Sequence, residues 1–164
     1  VPEPLQTQRL TLRPLRAGDA TDLHRFFSDP VAMQYFDTPH RDIAQSEAWL
    51  TGTLRAPLSD TREYALVRDG CVIGKAGIWK APELGFFLER AAWGQGLMRE
   101  ALEVLIPHLF TTMNLPHMLA DVDPDNAASL MLLRGLGFVE THRAARTIQI
   151  SGKWCDSVYL HLAS

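Results

Sequence analysis

Trp93-Gly94-Gln95-Gly96-Leu97-Met98 stands between a strand-like run, Glu83 to Leu88, and a helix-like run, Arg99 to Phe110. Strand, glycine turn and helix start is a layout that binds phosphate through backbone amides. The first N–H groups of a helix have no internal partner, and the helix dipole adds partial positive charge there. Glycines let a bulky anion approach the backbone. Taken alone, two glycines serve equally well for turning, because short glycine motifs match by chance.

The order of elements around this turn narrows the choice. Arg9 to Leu15 alternates as a first strand, ended by Pro14 and Gly18. Asp19 opens a helix with Leu23, Phe26 and Phe27 on one side, stopped by Asp29-Pro30. Asp42 to Leu54 reads as a second helix. Arg62 to Arg68 and Cys71 to Trp79 are strands joined by Asp69-Gly70, a strong hairpin signal. Glu83 to Leu88 follows as the fourth strand, and the helix after the glycine turn carries Leu102, Leu105, Ile106 and Leu109 on one face. Met118 to Val122 is a strand, Asp125 to Leu136 a helix capped by Gly137, and Phe138 to Leu162 a closing hairpin around Gly152. The order β-α-α-β-β-β-α-β-α-β-β predicts an α/β (α+β) fold, a mixed sheet with helices on both faces. It disfavours a dinucleotide-binding fold, whose glycine motif follows the first strand of a βαβ unit. The turn also lacks the Lys-Ser/Thr ending of a nucleotide P-loop.

Composition sets outer bounds. The chain has 164 residues, enough for one domain with a core, so residues 1–164 are expected to form a single domain. The net charge of −3 argues against bulk electrostatic binding of nucleic acid. No apolar run is long enough for a membrane span, and no signal peptide is visible. Cys71 and Cys155 have no metal spacing and suggest free thiols in a reducing, cytoplasmic setting. His24, His108, His117, His142 and His161 also lack metal spacing, so no metal is expected. The first residue is Val1 rather than Met, and a trimmed N-terminal piece is the corresponding expectation.

Four segments together resemble the GNAT superfamily of N-acetyltransferases, in the branch that includes ribosomal-protein N-terminal acetyltransferases. They are Thr7 to Leu15, Glu83 to Leu88, Trp93 to Ala101, and Val122 to Ser129 followed by Leu136-Gly137-Phe138. The resemblance spans nearly the whole chain. It implies a three-layer fold with a mostly antiparallel twisted sheet, splayed between the fourth and fifth strands. It also implies acetyl-CoA as donor and acetyl transfer to a primary amine by direct attack in a ternary complex. The acceptor would be a small molecule or a peptide: a protein N-terminus, a polyamine, an amino acid or an amine antibiotic. Dimers are common in such a family, so monomer and homodimer are both open. A rival on the same fold is a non-catalytic acyl-CoA-binding or sensing domain.

The resemblance carries residues with it. The amides of Gly94, Gln95, Gly96, Leu97, Met98 and Arg99 would face the pyrophosphate. Phe87 and Leu88 would offer backbone groups to the pantetheine arm, and Asn126 its carboxamide. Asn126 also suits a helix cap. Ser129, three residues on and on nearly the same helical face, would stand near the departing sulfur, or else is a small residue at a helix crossing. Glu83 would take the amine proton through water, or is a solvated strand end. Tyr35, Phe36 and Trp154, with Met33, His40, Trp79 and Tyr159, are candidates for the acceptor pocket or for core. The Lys153-Trp154 run with Asp156 reads as structural first and substrate-facing second. Many relatives place a tyrosine acid where this chain has Leu133, so that role does not carry over.

Overall fold

A computed structural model describes residues 4–164. Val1, on which the expectation of a trimmed start rests, lies outside the described residues. The elements run β1 Leu5–Gln6, β2 Thr11–Pro14, α1 Ala20–Phe27, α2 Ile43–Arg55, β3 Arg62–Arg68, β4 Cys71–Lys80, β5 Glu83–Leu88, α3 Leu97–Met113, β6 His117–Val122, α4 Ala127–Gly135, β7 Val139–Ile150 and β8 Lys153–Ala163. They build one sheet in the order β1-β2-β3-β4-β5-β6-β8-β7. Helices cover both faces. Leu97, Leu102, Leu105 and Leu109 of α3 and Leu130 and Leu133 of α4 pack into one core. Leu23, Phe26 and Phe27 of α1 and Leu50 of α2 build the other. Among the described residues no helix is long and apolar enough to cross a membrane.

Every neighbouring pair of strands is antiparallel except β5 and β6. That parallel pair holds a single register contact, Glu83 with Leu119. Beyond it β5 stays with β4, from Leu84 opposite Ile78 to Leu88 opposite Gly74. β6 stays with β8, from His117 opposite Ala163 to Val122 opposite Val158. The two strands thus part from a common start and leave a gap between their inner edges. This is the expected splay.

Local chemistry sets the boundaries. At the β3–β4 hairpin Asp69 and Gly70 both take positive φ, 51° and 78°, as a two-residue turn between twisted strands requires. α4 ends in a paired left-handed cap: Gly137 donates to the Arg134 carbonyl at 3.1 Å and Phe138 to the Leu133 carbonyl at 3.0 Å. The first expected strand shortens to Thr11–Pro14, several ends move by a residue, and three differences have a clear local cause. β1 precedes the expected first strand and is too short to show alternation, so the fourth strand of that reading is β5. α3 begins at Leu97, directly after the left-handed Gly96, and continues past Phe110 to Met113. α4 begins at Ala127, because Asp125 and Asn126 form the turn that caps it.

Candidate active site

Two cavities open on either side of the splay. The first, about 390 Å³, is lined by the glycine turn, by Leu97, Met98 and Arg99 of α3, and by Phe86, Phe87 and Leu88 of β5. The second, about 470 Å³, is lined by Glu83 and Gly85 of β5, by Asp121 to Asp123, by Lys75 and Trp49, and by Thr147, Asp156 and Ser157 of the closing hairpin. Tyr35, Phe36, Phe86, Phe87, Asn126 and Ser129 line both. Most of the sequence-predicted residues, though not Gln95 or Trp154, therefore line one or both of these cavities.

The first cavity has the character of an anion cradle. Gly94 and Gly96 take φ of 75° and 74°, a region that ordinary side chains avoid. A Cβ at Gly94 would meet no protein atom within 4 Å, and one at Gly96 only Arg9 at 3.8 Å. The space in front of the turn is open to a ligand. No side chain caps α3. The first intrahelical bond is Glu100 N–H to the Gly96 carbonyl at 3.1 Å, so the earlier amides are left for an external acceptor. Gln95 stands apart from the lining. Its side chain accepts from Arg68 at 3.0 Å and donates to the Ala91 carbonyl at 3.3 Å.

The β5 edge is more selective than the sequence suggests. Glu89 N–H donates to the Ile73 carbonyl of β4 at 2.8 Å. Strand alternation then turns the amide of Phe87 toward β4 and that of Leu88 toward the gap. The Leu88 carbonyl is occupied by the Trp93 indole N–H at 2.8 Å. What Leu88 offers the gap is its N–H, and what Phe87 offers is its ring. That ring packs against Phe36 at 4.6 Å and Phe27 at 5.6 Å. The Val31 to His40 segment is held over β5 through these contacts and through His40 N–H to the Phe27 carbonyl at 2.8 Å.

At the junction, Asn126 Oδ1 accepts the Ser129 amide at 3.2 Å, so the capping role is real. Its Nδ2 forms no hydrogen bond among the described residues and lines both cavities. Ser129 Oγ likewise has no protein partner among the described residues, although the residue is only 8% exposed. Leu133, in the place of the tyrosine acid, is fully buried in the core and offers no acid.

The second cavity is acidic. Asp37, Glu83, Asp121, Asp123 and Asp156 line it against one ammonium, Lys75. Burial lifts the Glu83 carboxyl above the ordinary carboxylate range, and the charge of Asp121 adds to this; Lys80 and the Trp79 indole pull the other way. Asp121 is raised as well, by desolvation first, with Asp123 adding and a Ser157 hydrogen bond opposing. Lys75 is already neutralised. Its Nζ lies 2.5 Å from Glu63 Oε2 and over the rings of Phe87 and Trp49, 4.9 and 5.2 Å from their centroids.

Trp154 is not part of this assembly. It is 44% exposed, stacks on the Arg146 guanidinium at 5.0 Å and lines neither cavity. Asp156 does line the second cavity, and it also accepts the Arg146 amide at 2.9 Å. Sequence reasoning missed Asp121, Asp123 and the Lys75–Glu63 pair. A signal for each existed. Asp121 and Asp123 share a parity in the β6 run. Lys75 is the one cation within the apolar run Cys71 to Trp79, two positions from the residue facing Glu63 across the hairpin.

Comparison with known proteins agrees with this fold. The acetyltransferase (GNAT) domain profile matches residues 9–139. An uncharacterized N-acetyltransferase p20 of Bacillus licheniformis is 34% identical over 146 residues, covering 83% of this chain and 82% of its own. The [ribosomal protein uS5]-alanine N-acetyltransferase of Escherichia coli is 33% identical over 88 residues, 54% of this chain and 45% of that one. A ribosomal L7/L12 α-N-protein acetyltransferase solved with coenzyme A superposes with a TM-score of 0.88 at 18% identity, over 98% of both chains. The chain belongs to the GNAT family of acetyltransferases.

Proposed function

We propose that the protein transfers an acetyl group from acetyl-CoA to a primary amine by direct attack, with both substrates bound. The observation that carries this reading is the junction: an open anion cradle and an acidic cavity share Phe87, Asn126 and Ser129. A donor held in one and an amine held in the other would meet there, and proximity of this kind lowers the barrier without covalent chemistry.

Acetyl-CoA supplies a thioester as the acyl source. The amides of Gly96 to Arg99 bind its diphosphate, with Gly94 keeping the approach open. The Leu88 N–H, turned into the gap, stabilises negative charge that develops on the acyl oxygen. Asn126 Nδ2 holds the arm at the neck between the cavities. Ser129 Oγ, free of other partners, donates to the departing sulfur. Glu83, whose pKa burial raises, accepts in its ionised form the proton released by the amine. Tyr35 and Phe36 close both cavities from above and limit water. The free thiols Cys71 and Cys155 suit a reducing, cytoplasmic setting.

The test is calorimetric binding of acetyl-CoA followed by CoA release with peptides, polyamines, amino acids and aminoglycosides. Micromolar binding and CoA release with at least one amine class, with intersecting initial-rate lines, is the expected result. Tight binding with no release on any amine would overturn the reading.

A further inference from the structure

We infer that the acceptor is a short aliphatic diamine or polyamine, its second ammonium held against Asp121 and Asp156 while its reacting amine faces Glu83. This rests on the acetyl-transfer reading above and names its substrate class.

The charge of the second cavity is the starting point. Five carboxylates line it, and its one ammonium, Lys75, is bound to the buried Glu63. The whole chain has 19 acidic against 16 basic side chains, so five carboxylates around one paired ammonium are a local excess. The cavity is also built for a ligand. Ser129, 8% exposed, and Asn126, 7% exposed, open into it with an Oγ and an Nδ2 that have no protein partner among the described residues.

The reaction itself separates one charge from two. An amine must be neutral to attack, and its amide product is neutral. A monoamine acceptor would therefore leave the carboxylates facing no cation at the moment of transfer. Grouped carboxylates with no countercharge raise one another's pKa, an effect that adds to burial at Glu83 through Asp121 and at Asp121 through Asp123. A second ammonium keeps its charge through the reaction and supplies what the cavity lacks. It also lowers Glu83 toward the ionised state that accepts the proton.

The walls fit the same ligand. Trp49, Trp79, Tyr35, Phe36 and Phe87 give apolar surface for a methylene chain and ring faces for an ammonium. An α-amino acid would bring a carboxylate into this field and be repelled. A peptide N-terminus, like a monoamine, brings one amine and no second cation of its own.

The experiment compares kcat/KM with acetyl-CoA for 1,4-diaminobutane and spermidine against butylamine, glycine and trialanine. The diamines are expected to exceed butylamine by about tenfold, the combined worth of two partly screened ion pairs of about 0.7 kcal/mol each. In the double variant Asp121→Asn/Asp156→Asn, the KM for spermidine should rise about tenfold while the Kd for acetyl-CoA and the circular dichroism spectrum stay unchanged. Both changes are isosteric, and the carboxamide oxygen that Asp156→Asn introduces would still accept the Arg146 amide. Equal or better use of trialanine or butylamine, or an unchanged spermidine KM in the double variant, overturns the inference. Failure to release CoA with any amine overturns acetyl transfer instead. Calorimetric titration of spermidine, with and without CoA, then decides the inference by itself: saturable binding that the double variant loses supports it, and no binding, or equal binding in both proteins, overturns it.

Discussion

Asn126 Oδ1 accepts the backbone N–H of Ser129 at 3.2 Å, and this bond both starts α4 and aims two free polar groups at the junction of the cavities. The carboxamide divides its labour. Its oxygen is spent on the helix, and its nitrogen is left for the ligand.

The two roles of Asn126 can be separated by substitution. Asn126→Ala removes both, and should cost about 1 kcal/mol of stability, the usual worth of an N-cap, while weakening acetyl-CoA binding. Asn126→Asp keeps an accepting oxygen but has no donor. It should hold the melting temperature near that of the parent and still weaken binding about tenfold, the worth of one hydrogen bond with added charge repulsion. Ser129→Ala should leave binding unchanged and lower kcat about tenfold or more, one donor's worth at the departing sulfur. Thermal melts, calorimetry and steady-state kinetics on the three variants read these effects apart. Equal binding by the parent and Asn126→Asp would remove the carboxamide from the donor site.

Much of this arrangement is legible in the sequence, for a physical reason. Elements and caps are local: Asp69-Gly70, Gly137 and the spacing of Leu102, Leu105 and Leu109 each act over a few residues. The donor cradle is local too, since turn and helix start are consecutive. The acceptor cavity is not. Asp121 and Asp156 line one cavity only because β6 and β8 are neighbours in the sheet, and Asp37 arrives on a segment with no periodicity. Aromatics suit pockets, which is why Trp154 is expected at the acceptor, but the β7–β8 hairpin turns it outward onto Arg146. The division of Phe87 and Leu88 between β4 and the gap also depends on register, which alternation alone leaves open by one residue.

The glycine turn predicts a charge effect distinct from a backbone effect. Gly96 has φ of 74°, which Asn and Asp adopt more readily than other side chains. Gly96→Asn should therefore fold normally and weaken acetyl-CoA binding modestly, by bulk alone. Gly96→Asp adds a negative charge where the diphosphate is placed, and should raise Kd a further tenfold or more, about 1.4 kcal/mol. Raising the salt concentration should narrow the gap between the two variants. Identical affinities for Gly96→Asn and Gly96→Asp would sink the placement of the diphosphate.

Glu83 gives the reaction its pH dependence. Its folded-state pKa is raised, chiefly by burial, with help from Asp121. The proton-accepting form is the carboxylate, so kcat/KM should fall as pH drops through that raised pKa, placing the acidic limb above the ordinary carboxylate range. Glu83→Gln should remove this limb and lower the rate about 10²-fold or more. Stability moves in the opposite sense. A raised carboxyl pKa means that the folded state favours the protonated form, so ionised Glu83 costs stability at neutral pH and the cost vanishes below its unfolded pKa. Glu83→Gln should thus melt at the same or a higher temperature at pH 7 while losing activity. A variant that loses both would make Glu83 structural.

Lys75 and Glu63 pose the reverse case, a charged pair whose worth lies in not being broken. Lys75 is 2% exposed and Glu63 6%, and Glu63 Oε1 has no hydrogen-bond partner among the described residues. Lys75→Met leaves an uncompensated carboxylate under the acceptor cavity, and should cost about 3–5 kcal/mol in urea denaturation. Glu63→Leu leaves the ammonium between Trp49 and Phe87 with rings as its only close partners, and should cost a similar amount. The double variant Lys75→Met/Glu63→Leu removes both desolvation penalties and should recover most of the loss, since a buried pair is about break-even against apolar side chains of similar volume. A double-mutant cycle therefore should show strong coupling, of about 3 kcal/mol or more. Additive single losses would mean that the two charges are solvated separately, and that Lys75 is free to act as a cation in the cavity, against the acidic character on which a cationic acceptor depends.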